Sequence, residues 1–219
     1  SCSRIKDRLK KARYLDLNSS FIESPQALKF FNNLQFLNLE NNRIKDFSFL
    51  DSFENLKSLY LKGNKIDNEL NLEKINSLKN LSFTNVGKLG YSIQNLLGLK
   101  SLSVDSVSPQ FLLTIGELKE LKKLNIENSK LSSLSFLRGL NTLEELSLIK
   151  NQLKDILFIS EIESLRSLDI SHNLIEDLTP LYSLSRLNTF KAEGNPVQSC
   201  PLESLSIPLR TFCEKKLSP

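Results

Sequence analysis

LQFLNLENNRI, residues 34–44, carries two patterns at once. Leu37, Asn38 and Leu39 alternate apolar with polar, as a half-buried strand does, and the chain then turns at Asn41 and Asn42. On that period Phe36 faces away from the leucines, onto the side that should be exposed.

The same lettering returns along the chain. Leu15, Leu37, Leu59, Leu81, Leu102, Leu124, Leu146, Leu168 and Phe190 recur at the constant step that separates Leu15 from Leu37, shortened by a single position between Leu81 and Leu102. LKSLYLKGNKI (56–66), LKKLNIENSKL (121–131), LEELSLIKNQL (143–153) and LRSLDISHNLI (165–175) show the shared spacing. A single unit of this kind could bury nothing, so the units must stack, one strand each, about 4.8 Å apart, with their leucines pointing into a shared interior. The turn asparagines Asn42, Asn64, Asn151, Asn173 and Asn195 are expected to bond backbone groups of adjacent turns, a structural role. Val86, Val107 and Ser129 replace that Asn in the middle, and the unit from Leu78 to Gly98 is one residue short. A break in the Asn ladder is expected there.

These units match L-x-x-L-x-L-x-x-N-x-L, and the chain resembles the leucine-rich repeat proteins over roughly residues 12–197. Repeats of this length resemble the SDS22-like class, which includes the phosphatase regulator of that name and the bacterial internalins. The fold class expected is an α/β repeat solenoid, curved and right-handed, with a parallel β-sheet on the concave face and short 3-10, extended or helical segments on the convex face. Its organisation reads as an N-terminal cap over residues 1–11, about nine repeats over 12–197, and a C-terminal cap over 198–219, all one domain. The inner face of that class usually binds other proteins.

Composition is ordinary for a globular chain: 40% apolar and 25% charged, with a net charge of +4. The basic excess is too weak and too dispersed to argue for nucleic acid. No run of 18 apolar residues would span a membrane, and residues 1–11 hold no apolar segment. Catalysis is not expected. The one histidine, His172, occupies a turn position where any polar residue would serve, and neither phosphate loop, metal-ligand spacing nor paired carboxylates can be found. No cofactor or metal is expected, and the chain should act as a monomer. Two N-glycosylation sequons, at Asn18 and Asn80, would matter only in a eukaryotic secretory pathway.

A solenoid exposes its core at both ends, so its terminal segments must seal it. Cys200 and Cys213 fall in the Pro-containing tail CPLESLSIPLRTFC (200–213), and an oxidised pair would reinforce that cap by about 3 kcal/mol. Such a bridge belongs to an oxidising compartment; two reduced cysteines in a cytosolic cap are the alternative. Cys2 resembles the lipid-bearing cysteine of a bacterial lipoprotein, with a plain free thiol as the other reading. The site on the cell that fits best is extracellular, at a bacterial surface or in the periplasm, with the cytoplasm as the alternative.

Equivalent strand positions stack across repeats, so the inner face can be read as columns. Tyr14 and Phe36 open the first column, Asp16, Asn38 and Tyr60 the second, and Glu40 and Lys62 stand in the third. Exposed aromatics ringed by polar groups have the composition of a binding hot spot. Tyr14, Asp16, Phe36, Asn38, Glu40, Tyr60 and Lys62 are therefore the expected contacts with a protein partner, and Ile149, apolar among polar neighbours, is a second anchor. Phe36 and Tyr14 could instead fold over the first strand and help the cap. A rim column, Lys57, Lys79, Lys100, Lys122 and Arg166, is interrupted by Glu144. The rival functional reading is a cytosolic scaffold or regulatory subunit of an enzyme such as a phosphatase.

Overall fold

The computed structural model describes residues 9–66, 70–84 and 91–217. Val86 and Cys2 lie outside them, as do residues 1–8 of the expected N-terminal cap. The chain divides into two compact units, Ser1–Thr114 and Ile115–Pro219.

In the first unit β1 (Tyr14–Asp16), β2 (Phe36–Asn38), β3 (Ser58–Tyr60), β4 (Asn80–Thr84) and β5 (Ser101–Asp105) pair in parallel, in chain order. Their register is the leucine spacing: Leu15, Leu37, Leu59, Leu81 and Leu102 stand opposite one another. Short 3-10 turns at Gln26–Phe30, Ser48–Ser52 and Tyr91–Asn95 cross the other side of the repeats. A helix, α1 (Pro109–Ile115), follows β5. In the second unit β6 (Lys123–Glu127), β7 (Glu145–Ser147), β8 (Ser167–Asp169) and β9 (Thr189–Lys191) repeat the arrangement through Leu124, Leu146, Leu168 and Phe190. Its outer segments are 3-10 turns at Ser135–Leu137 and Thr179–Ser183 and the one-turn helix α2 (Leu157–Ser160). The terminal helix α3 (Ile207–Leu217) packs on β9.

The asparagine ladder forms as hydrogen-bond geometry requires. Asn64 Nδ2 donates to Leu39 O (2.8 Å) in the preceding repeat and to Leu61 O (2.9 Å) in its own, while its Oδ1 accepts from Ile44 N (3.1 Å). Asn173 and Asn195 repeat this scheme. All five ladder asparagines are buried, so each amide satisfies backbone groups that water cannot reach.

Where Ser stands in place of Asn, the next repeat supplies the bonds. Asn151 Oδ1 accepts from both Ser129 N (3.0 Å) and Leu131 N (3.2 Å), and Asn42 Oδ1 from both Ser20 N (3.1 Å) and Ile22 N (2.8 Å). In those two turns one further residue, Lys130 or Phe21, takes a left-handed backbone. The expected gap at Ser129 is thus bridged from the C-terminal side. The middle strands lengthen: β4, β5 and β6 run five residues where the others run three, and β4–β5 pairing continues through Phe83↔Val104 and Thr84↔Asp105.

Two regularities have no place in the leucine pattern. Among the described residues, the residue before each turn position has positive φ, at Ser19, Asn41, Gly63, Ser106, Asn128, Lys150, His172 and Gly194. His172 therefore occupies a left-handed site, a stricter demand than polarity alone, because a β-branched residue would be strained there. Hydroxyls just before the first leucine of a repeat reach back to the preceding one: Ser77 Oγ to Leu56 O (2.9 Å), Thr142 Oγ1 to Leu121 O (2.7 Å) and Ser164 Oγ to Leu143 O (2.6 Å).

Candidate protein-binding surface

In the first unit the period of β1, β2 and β3 turns Tyr14, Phe36 and Tyr60 to the face opposite the leucines, and the register of the repeats brings them together. The Tyr14 and Phe36 rings stack with centroids 4.2 Å apart and planes 11° from parallel. Phe36 and Tyr60, diagonal neighbours in the register, lie 5.4 Å apart at 46°. Tyr14 is 62% exposed; Phe36 and Tyr60 are half-buried. Polar groups frame this stack. Asp16 Oδ1 accepts from Asn18 N (3.1 Å) and Asn38 Oδ1 from Glu40 N (3.0 Å), each fixing the turn behind its strand. Glu40 Oε1 accepts from Ser82 Oγ (2.6 Å), reaching across the Lys62 repeat.

The second unit builds its inner face differently. Lys123 Nζ meets Glu145 Oε1 at 2.6 Å and Lys191 Nζ meets Asp169 Oδ2 at 4.0 Å, both between neighbouring strands. Ser171 Oγ donates to Glu193 Oε2 (3.1 Å), and Ile149 is half-buried beside them. On the rim Glu144 Oε1 lies 2.8 Å from Lys122 Nζ. The hydrogen bond and charge of Lys122, helped by Arg166 and Lys123, hold the Glu144 carboxyl below the usual glutamate range.

Two family models match the chain: "Leucine Rich repeats (2 copies)" over residues 32–74 and "Leucine Rich Repeat" over residues 164–187. The chain is a leucine-rich repeat protein. Among solved structures, a leucine-rich repeat protein from Leptospira interrogans superimposes with a TM-score of 0.72 at 22% identity, covering 97% of this chain and 60% of that one. Internalin C2 from Listeria monocytogenes gives 0.64 at 24% identity, covering 94% of this chain and 81% of that one. The Arabidopsis receptor kinase HAESA, solved with a peptide hormone and a co-receptor, gives 0.61 at 21%, covering 84% of this chain and 38% of that one. At these identities the likeness is one of fold, the leucine-rich repeat solenoid. No curated protein sequence matches the chain. Proteins of this fold are typically noncatalytic interaction modules.

The leucine-rich repeats end against a segment tied by a disulfide between Cys200 and Cys213, whose Cα atoms are 5.7 Å apart. In α3, Leu209 and Cys213 turn inward, and Phe212 meets Phe190 edge-on at 5.3 Å, over the leucine column. Ser204 and Ser206 are buried there, a pair the repeat pattern does not single out. Ser206 Oγ donates to Leu187 O (3.2 Å) and Ser204 Oγ accepts from Ser206 N (3.2 Å). Ser and Pro letters outside the repeat were the available signal. Among the described residues no group of three His, Cys, Asp or Glu could hold a metal, and no helix is long and apolar enough to cross a membrane.

Proposed function

We propose that this protein is a noncatalytic binding module that holds a protein partner on the inner face of its first unit. The Tyr14–Phe36–Tyr60 stack is the anchor, Asp16, Asn38, Glu40 and Lys62 orient the partner, and Ile149 is a lesser contact in the second unit. The observation that carries this reading is the aromatic stack itself. Three rings have gathered on the side of the strands away from the core, where burying them would complete no repeat, and one is mostly exposed. Aromatic residues are the side chains that most often dominate binding energy. The plant receptor's complex with a peptide hormone supports the same use of the fold. The Cys200–Cys213 bridge, stable in an oxidising compartment, supports an exported protein, and so does the internalin-like fold. Cys2 is read as a lipid anchor at a bacterial surface, residues 198–219 as the C-terminal cap, and the protein as a monomer.

Photo-crosslinking tests the surface directly. p-Benzoylphenylalanine is placed at Asn38 on the inner face or at exposed Leu157 on the outer side, and irradiated in the native host. Protein adducts are expected at position 38, and Phe36→Ala/Tyr60→Ala should abolish them. Adducts at position 157 alone would overturn the reading. Intact mass of the same protein, alkylated before lysis, should show Cys200 and Cys213 unlabelled and an acyl group on Cys2; free thiols would favour the cytosolic regulator.

A further inference from the structure

Three rings elsewhere on the molecule carry a cation, while Tyr182, 66% exposed, carries none among the described residues. Phe21 carries the Arg43 guanidinium 5.5 Å from its centroid, Phe30 the Lys29 ammonium at 5.7 Å, and Phe158 the Arg138 guanidinium at 5.3 Å. Each of these rings is matched by a cation from its own chain. The inner-face stack is built differently. Phe36 covers one face of Tyr14 in a near-parallel stack, Tyr14 is 62% exposed, and among the described residues neither a ring nor a cation lies over its other face.

The carboxylates of the two units differ in the same sense. On the second unit's inner face Glu145 and Asp169 are paired with Lys123 and Lys191. On the first, Asp16 has no ion-pair partner among the described residues and uses one oxygen in its own turn, while Glu40 accepts from a serine as Glu193 does in the second. An open π face, continuous with a stack and two residues from a carboxylate with a free oxygen, is complementary to a planar cation. Arginine suits it better than lysine, because a guanidinium can lie flat on the ring while its edge N–H groups point to the carboxylate.

Resting on the inner-face reading above, we infer that the partner is a protein segment presenting an arginine, whose guanidinium caps the open face of Tyr14 and donates to Asp16. The stack then continues as guanidinium, Tyr14, Phe36 and Tyr60. Removing the ring should weaken binding about threefold to tenfold, the range for a cation–π contact at a partly exposed site, and removing the charge about tenfold or more, as for a hydrogen bond to a charged group.

The test uses a displayed library of random dodecapeptides selected on the whole protein, with the selected peptides then measured against variants by calorimetry. Tyr14 is exposed, so Tyr14→Leu and Asp16→Asn should fold normally, which thermal melting checks. The expected result is enrichment of an arginine among peptides that require Phe36 and Tyr60, with affinity falling for both variants and for peptides carrying lysine or citrulline instead. Peptides that require Phe36 and Tyr60 but show no arginine preference, or are indifferent to Tyr14→Leu, would overturn this inference and leave the binding face standing. Peptides indifferent to Phe36→Ala/Tyr60→Ala would overturn both.

Discussion

The inner faces of the two units rest on the same kind of parallel strand, yet they are finished in opposite ways. In the second, Lys123 with Glu145 and Lys191 with Asp169 neutralise one another across adjacent strands. In the first, Tyr14, Phe36 and Tyr60 stack on one another and leave a ring face and the Asp16 carboxylate without a charge partner among the described residues. The difference shows that the repeat determines where a side chain points but leaves open whether that position is satisfied within the protein. A surface whose charges are already paired has little to offer a partner, because binding must first desolvate or break those pairs. The aromatic face keeps its interactions in reserve.

This contrast can be broken by experiments that load one face and leave the other alone. The largest effect should come from the scaffold under the second unit. Asn173→Ala leaves the carbonyls of Leu148 and Ile170 and the N–H of Leu153 short of partners in a buried turn, and should cost about 3 kcal/mol or more in urea unfolding. Replacing both Cys200 and Cys213 by Ser opens a loop closed over 13 residues and should cost about 3 kcal/mol. If the faces are independent, both variants should still bind inner-face peptides at a temperature where they remain folded; lost binding would tie the aromatic face to the second unit.

Phe36→Ala/Tyr60→Ala acts on the other side of the contrast. It should weaken partner binding by about 2 kcal/mol or more by calorimetry, while thermal unfolding registers only the lost ring contacts, about 1 kcal/mol. A large stability loss with unchanged binding would make the stack part of the core seal. Lys123→Ser/Glu145→Ser removes an exposed pair and should change stability by less than about 1 kcal/mol, with no effect on binding.

The smallest effect is electrostatic. Because the Glu144 carboxyl titrates below its ordinary value in the folded protein, its contribution to stability is present above the unfolded-state pKa and is lost as pH falls through the folded one. Lys122→Gln should move its titration midpoint upward, followed by carboxyl NMR shifts. No movement would show that Arg166 and Lys123, not Lys122, hold the charge.

Much of this was legible in the letters. A leucine returning at a fixed step forces parallel strands in register, and period two within a strand sends Phe36 to the open side, as Leu37↔Leu59 pairing and the ring stack both show. The asparagine turns could be read for the same reason, since a buried tight turn needs a side chain that both donates and accepts. The fate of Ser129 could not, because the bonds come from Asn151, a repeat away. Nor could the left-handed site of His172 be separated from simple polarity, although Gly and Asn in its column at Gly63, Asn41 and Gly194 carried the signal.

By itself, then, the sequence determined the strand spacing, the buried ladder and the side of the sheet on which each column lies, because all three follow from one repeating period. The tertiary structure alone decided which exposed groups find partners. Stacking, ion pairing and the capture of an N–H by a neighbouring repeat depend on rotamers and on distances between side chains a whole repeat apart, and no local pattern of letters encodes them.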